Sequence, residues 1–279
     1  MIFDITREES SKKFLSDFLN IEIREIDNYI KSAVDNVFLD EFLEYVDRIL
    51  PERKIEKLLV AAIHITSNDD KSQSIRDIGL VNLQTALTMD TPLARYLKKN
   101  GIIFYIYNNL LCIKNNFHDI VFDPLRYETQ TPTGKLNEIA RKIYSDCQIS
   151  GFFCLREARA YDSDVNLRPQ IICDLSKLGK NPYEFENNWI DASQAYMVKF
   201  IAPIEYFAFY SFYMGIDAFK EDQKEKLELK KWLVDQAIRV AWEHYHYGKL
   251  PVEIMAYLKS EVLVAPKYIT EIVPMGESI

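Results

Sequence analysis

Apolar residues between positions 8 and 50 recur at the three- and four-residue spacing of amphipathic helices. Three runs show this spacing, and each predicts one helix with an apolar stripe that faces a partner. Their apolar positions are Phe14, Phe18 and Leu19; Ile23, Ile26, Ile30 and Val34; and Leu39, Phe42, Leu43, Val46 and Leu50. Ser10 or Ser11 is predicted to cap the first helix, and Pro51 to end the third.

The pattern then changes to nearly continuous apolar runs. Residues 58–65 (LLVAAIHI) have the length and composition of a buried central strand. The polar segment SNDDKSQ follows, and SIRDIGL predicts a short helix that Gly79 ends. Thr91 and Pro92 mark the start of another helix, which Gly101 follows.

Shorter elements are predicted along the rest of the chain. Apolar runs predict strands at 102–107, 110–113, 149–155, 171–175, 197–201 and 268–273. Helices are predicted from about Lys135 to Tyr144 and from Asp217 to Tyr247, with a loop over 118–132.

These elements together predict an α+β fold in three parts. Residues 1–54 form a helical segment, and 55–215 form an α+β core. Residues 216–279 supply C-terminal helices and a last strand that pack on the core. Of the 279 residues 48% are apolar, which is enough for a full core and excludes a mostly disordered chain.

Composition and charge narrow the class of protein. Formal net charge is 34 − 42 = −8, so generic nucleic-acid binding, which relies on clustered Lys and Arg, is not expected. The four cysteines are too few and too irregularly spaced for a disulfide framework or a zinc knuckle. There is no apolar segment of the length that a signal peptide or a membrane span needs, so we expect a cytoplasmic protein without membrane contact.

The first candidate for chemistry is the pair His64 and Thr66 at the end of the predicted strand. Side chains two residues apart on a strand point to the same side, so this pair can bind a ribose or phosphate through an imidazole N–H and a hydroxyl. The alternative is a histidine whose ring is bonded to a backbone carbonyl at a strand end.

This part of the chain resembles the opening motif of ADP-ribosyltransferases. The resemblance lies in the order strand-His-x-Thr, polar loop and short helix Ser74-Ile75-x-x-x-Gly79-Leu80. The resemblance is to the His-Tyr-Glu branch, which includes diphtheria-toxin-like and poly-ADP-ribose-polymerase-like enzymes. It implies a split antiparallel β-sheet core, NAD as substrate, and His64 on a ribose hydroxyl with Thr66 supporting it.

The segment Gly151–Tyr161 (GFFCLREARAY) resembles the second motif of that family. Ala158 and Tyr161 match its spacing, and Phe153 stands where many members have tyrosine. The resemblance implies that Phe153 and Tyr161 stack on the nicotinamide ring, which is a flat cation when joined to ribose. The alternative is that these aromatic residues belong to the core.

The family's third element is a glutamate on a late strand, which stabilises an oxocarbenium-like transition state. Here the match is less clear. The start of the predicted strand holds Gln194, and Glu205 comes just after the strand. Glu184 and Glu186 lie in a segment that also resembles the diphtheria-toxin-like glutamate segment. The four residues stay open as alternatives, and a glutamine would bind ribose without supplying negative charge.

Other candidates are weaker. His244 and His246 are two residues apart on a predicted helix, so they point to different faces and form a poor metal pair. Arg156, Arg159 and Arg168 can contact phosphates or solvate a helix face. No glycine-rich dinucleotide or P-loop motif is present.

The sequence therefore predicts an NAD-using ADP-ribosyltransferase-like enzyme that acts on an unidentified macromolecular acceptor or hydrolyses NAD, as a toxin or defence effector would. Two alternatives stay open. One is a non-catalytic binding or scaffold protein that keeps the fold. The other is an RNA 2′-phosphotransferase-like enzyme, which shares a similar opening motif.

Overall fold

The structure is a computed structural model that describes residues 1–33, 36–105, 108–126, 130–157, 164, 166–215, 223–251 and 253–276. Within these ranges the chain forms an α+β protein. The helices are α1 (Glu8–Leu19), α2 (Ile23–Ser32), α3 (Asn36–Asp47), α4 (Gln73–Ile78), α5 (Leu83–Thr88), α6 (Pro92–Lys99), α7 (Pro132–Tyr144), α8 (Gln170–Ser176), α9 (Pro182–Ala192) and α10 (Gln223–Tyr247). The strands are β1 (Ile2–Phe3), β2 (Leu59–Asn68), β3 (Ile102–Tyr105), β4 (Leu110–Ile113), β5 (Asn116–Asp119), β6 (Ser150–Cys154), β7 (Gln194–Pro203), β8 (Ile254–Tyr257) and β9 (Ile269–Pro274).

Six strands form a mainly antiparallel sheet in the order β8-β6-β2-β7-β9, with β1 parallel to the start of β2. Ile63 of β2 lies opposite Phe152 of β6. The burial of β2 explains its central place, since Val60, Ala61 and Ala62 are fully buried. A separate antiparallel sheet in the order β3-β4-β5 contains three short strands.

The chain divides into two compact units, each built from three segments. Unit 1 comprises Met1–His64, Ser150–Glu157 and Lys199–Lys259, and unit 2 comprises Ile65–Ile149, Ala158–Val198 and Ser260–Ile279. The boundary therefore falls inside β2 and inside β7.

In unit 1 the long helix α10 packs against α1, α2 and α3. Its buried face includes Leu233, Ile238 and Ala241. Trp242 donates its indole N–H to the carbonyl of Ala33, 2.6 Å away. A second part of this core is the aromatic cluster, which consists of Phe3, Phe14, Phe153, Phe207, Phe212 and Trp232.

Unit 2 has its own hydrophobic core, in which Trp189 of α9 is the largest side chain and is almost fully buried. Tyr96 of α6 packs edge-on against Trp189 with ring centroids 5.1 Å apart. The indole N–H of Trp189 donates to the Ser67 hydroxyl at 2.9 Å, so the end of β2 is fixed to this core.

Most predicted elements are confirmed, including α6, which Thr91 caps by accepting from the N–H of Ala94. The predicted strand at 171–175 is wrong, because those residues lie in α8. Its buried residues Ile171, Ile172 and Leu175 occupy one helical face, which a short apolar run cannot reveal by itself.

Three smaller expectations also need correction. The first helix is preceded by Arg7, and the hydroxyls of Ser10 and Ser11 donate to the Arg7 carbonyl from inside the helix. Helix α3 ends at Asp47, before Pro51 is reached, and Pro51 lies in a following 3-10 turn. The predicted loop 118–132 begins inside β5, which ends at Asp119, and α7 starts at Pro132.

Candidate functional site

The opening motif folds as a strand, a polar loop and a short helix. His64 and Thr66 lie two residues apart in β2, so they share one face of the strand, and both are partly exposed. Ile63 and Ile65 on the other face are buried. The strand continues beyond its predicted end to Asn68, which places Thr66 inside it.

His64 is held by a backbone carbonyl. Its Nδ1 lies 2.7 Å from the Ser150 oxygen, and because a carbonyl only accepts, Nδ1 must carry a proton. Desolvation of the ring by the surrounding protein lowers the pKa of His64 and outweighs the opposing effect of this hydrogen bond, so the neutral ring is favoured. In that tautomer Nε2 is an acceptor, and the hydrogen bond at Nδ1 is the one that the ring makes to a described residue.

The short helix α4 ends at Gly79, which adopts a φ of +86°. A Cβ at this position would lie 1.9 Å from the Val264 carbonyl oxygen, so both the backbone conformation and the space require glycine. Leu80 and Val264 exchange both backbone hydrogen bonds, at 3.0 and 2.9 Å. The helix end is therefore fixed within unit 2.

The polar loop between β2 and α4 contains a residue that sequence reasoning missed. Asp70 accepts the backbone N–H of Ser74 through Oδ2 and lies 3.6 Å from Arg95. Its Oδ1 is buried and has no hydrogen-bond partner among the described residues. The available signal was the paired aspartates directly after the strand.

The second motif is only partly described. Phe153 is fully buried and packs in the aromatic cluster, with its ring 5.5 Å from Phe212 and 5.3 Å from Phe207. Its ring therefore presents no accessible face for stacking, and Phe152 is also buried. Tyr161, together with Ala158 and Arg159, lies outside the described residues.

Glycine is required in the second motif as well. A Cβ at Gly151 would lie 2.4 Å from the Ile63 carbonyl oxygen, so β6 and β2 approach closely beside His64. Arg156, which sequence analysis considered for phosphate contact, instead donates to the Leu250 carbonyl at 2.6 Å and lies 3.8 Å from Glu243.

Glu205 lies at the end of β2 away from His64. It follows Ile204, whose N–H donates to the Leu58 carbonyl at 2.9 Å. Leu58 is six positions before His64, and a strand rises about 3.3 Å per residue, so these two residues are roughly 20 Å apart along the strand. The end of β7 therefore lies beside the start of β2, and Glu205 is far from His64.

Gln194 begins β7 and is exposed. Its amide donates to the carbonyls of Met275 at 2.9 Å and Ala195 at 3.2 Å. These bonds attach the side chain to the backbone that follows β9. The start of β7 thus supplies no carboxylate.

The two glutamates of α9 have local structural partners. Glu184 is exposed and accepts a hydrogen bond from Asn181 at 2.6 Å. Glu186 is partly buried, accepts from the Ser176 hydroxyl at 2.6 Å and forms a close ion pair with Arg168. The charges of Arg168 and Glu186 therefore neutralise each other.

The helical histidines also have structural partners. His244 forms a close contact with Glu8, and Nε2 of His246 lies 3.0 Å from the Ile30 carbonyl. Among the described residues no group of three or more metal-ligating side chains is close enough to hold an ion. In the same part of the chain, no helix combines the length and hydrophobicity that crossing a membrane requires.

Comparison of the chain with protein families, curated proteins and solved structures gives no significant match. Functional inference therefore depends on the residues and on local geometry.

Proposed function

We propose that this protein is an NAD-using, ADP-ribosyltransferase-like enzyme. The supporting observation is His64, which stands on a central strand with Nδ1 bonded to a backbone carbonyl, so that Nε2 is an acceptor. The hypothesis came from a strand, a polar loop, a short helix and a glycine in that order along the sequence. The structure has the same elements in the same order.

His64 would bind a ribose hydroxyl of NAD. The Ser150 carbonyl fixes both the ring orientation and the tautomer, and the unprotonated Nε2 accepts a hydrogen bond from the hydroxyl group. From the sequence we expected the imidazole ring to donate an N–H to the ribose. The Nδ1–H donates to the Ser150 carbonyl instead, so the ring would act as an acceptor through Nε2. Thr66, on the same face of the strand, would supply a hydroxyl as a second contact.

Cleavage also requires a residue that stabilises positive charge at the reacting ribose. Glu186 is paired with Arg168, and Glu205 lies beside the start of β2, away from His64. Cleavage of the bond between ribose and nicotinamide would then depend on Gln194 or Tyr161, neither of which carries a negative charge. Without a charged partner, turnover would be slow.

The experiment is an assay of nicotinamide release from NAD by the purified protein. We expect release by the wild type and a large reduction in His64→Ala. His118→Ala is the matched control, because His118 is another partly exposed strand histidine with no role in the proposal. No release and no NAD binding by the wild type would overturn the proposal.

A second candidate is a protein that binds NAD without chemistry. The observation in its favour is that Glu186 is ion-paired with Arg168 and that Glu205 lies beside the start of β2. It predicts thermal stabilisation by NAD, about 2.7 kcal/mol at 100 times the dissociation constant, without nicotinamide release. Release that requires added 2′-phosphorylated RNA would instead identify a phosphotransferase.

A further inference from the structure

Unit 1 contains a cavity of about 460 Å³ between α3, the segment that follows the 3-10 turn Phe209–Phe212, and α10. This volume is within the range of small-molecule sites. None of the residues of the proposed NAD contacts lines it. An occupant would therefore be independent of the function proposed above.

Aromatic rings form one wall of the cavity. The rings of Tyr213 and Trp232 have centroids 6.3 Å apart and planes at 47°, so they pack against each other at a tilt. Phe212 packs edge-on against Trp232 from the core side. Tyr213 is 76% exposed and has a φ of +56°, which is uncommon for a residue with a side chain. The backbone thus holds a tyrosine in an exposed position beside Trp232.

The charges around the cavity do not cancel. Asp47 is paired with Lys231 at 3.1 Å, and Asp235 is paired with Arg239 at 2.7 Å.

Two further carboxylates, Glu44 and Glu228, also line the cavity and are exposed. Neither has an ion-pair partner among the described residues. Two negative charges are therefore left to face an occupant.

We propose that the cavity binds a small organic cation of the quaternary ammonium class. Aromatic faces attract cations of this kind, because the ring quadrupole places negative charge over each face. The two unpaired carboxylates supply long-range attraction.

The experiment is titration calorimetry of the full chain with choline and with 3,3-dimethylbutan-1-ol, which has the same shape and hydroxyl but no charge. We expect saturable choline binding, at least about fivefold tighter than binding of the neutral analogue. Equal affinity for the two compounds would overturn the proposal, and so would a lack of saturable choline binding up to 100 mM.

Matched variants locate the site. Tyr213→Ala is expected to weaken choline binding about two- to fivefold, whereas Tyr183→Ala, at a tyrosine 81% exposed in unit 2, is expected to leave it unchanged. Glu228→Gln is expected to weaken binding about twofold at low salt, with Glu253→Gln as the exposed control. Choline binding that is unaffected by Tyr213→Ala would contradict the assignment, provided that the thermal unfolding of the variant matches wild type.

Discussion

Replacing Phe153 with alanine tests whether this residue belongs to the core of unit 1. The ring is fully buried, and its centroid lies 6.1 Å from Phe3, 5.3 Å from Phe207, 5.5 Å from Phe212 and 5.8 Å from Trp232. These neighbours are themselves packed against one another, so they have little freedom to fill the space that the substitution leaves.

Phe→Ala at buried sites costs about 3–5 kcal/mol. Aromatic pairs contribute about 0.5–1.5 kcal/mol beyond their buried area. Because Phe153 has four aromatic neighbours, we expect a loss near the upper end, about 4–5 kcal/mol. Phe153→Leu keeps much of the volume and is expected to cost about 1–2 kcal/mol.

The assay is urea unfolding followed by far-UV circular dichroism and tryptophan fluorescence, recorded together because the chain has two compact units. Phe117→Ala, at a phenylalanine 62% exposed, is the control and should change the free energy of unfolding by no more than about 0.5 kcal/mol. A Phe153→Ala variant within about 1 kcal/mol of wild type would refute the assignment of this ring to the core.

Three further outcomes are expected. Gly79→Ala should destabilise the protein by at least about 1–2 kcal/mol in the same unfolding assay, because its Cβ would meet the Val264 carbonyl and its φ is positive. Burial raises the pKa of Glu186, but hydrogen bonds from Ser176 and Arg168 outweigh it and hold that pKa below its usual range. The stabilisation that ionised Glu186 gives the folded state is therefore complete above pH ~4.3 and is lost as pH falls through the pKa of Glu186 in the folded protein. Wild type should accordingly lose more stability than Glu186→Gln between pH 5 and 2. Burial raises the pKa of Cys154 to about 12, so iodoacetamide at pH 8 should label it in urea but not in the native protein, as mass spectrometry of peptides will show.

Local signals in the sequence predicted most of the secondary structure. Thr91 with Pro92 fixed the start of α6, because a side-chain cap and a preset φ act within one turn. Gly79 ended α4 for an equally local reason. The strand predicted at 171–175 was wrong because an apolar run this short fits either a strand or a helix. Packing in the core of unit 2 around Trp189 favours the helix.

The candidate site was less predictable, because it depends on contacts between distant residues. The sequence indicated that Phe153 was either a stacking residue or a core residue. The answer depends on Phe3, Phe207 and Trp232, which are far away along the chain. The orientation of the His64 ring likewise depends on Ser150, 86 residues later.

The position of Glu205 also depends on a contact between residues that are distant along the chain. Glu205 follows the predicted strand directly, and nothing in the sequence shows which end of the neighbouring strand it will approach. The hydrogen bond from Ile204 to Leu58 decides this, and it places Glu205 away from His64.

The central claim is that Nε2 of His64 accepts a hydrogen bond from a ribose of NAD. Its most direct test is the dissociation constant for NAD, measured by calorimetry on wild type, His64→Ala and the control His118→Ala. We predict saturable binding by wild type and by His118→Ala, with His64→Ala about three- to tenfold weaker, as expected for the loss of one hydrogen bond. Wild-type protein that does not bind NAD, or a His64→Ala variant that binds it as tightly as wild type, would contradict the claim.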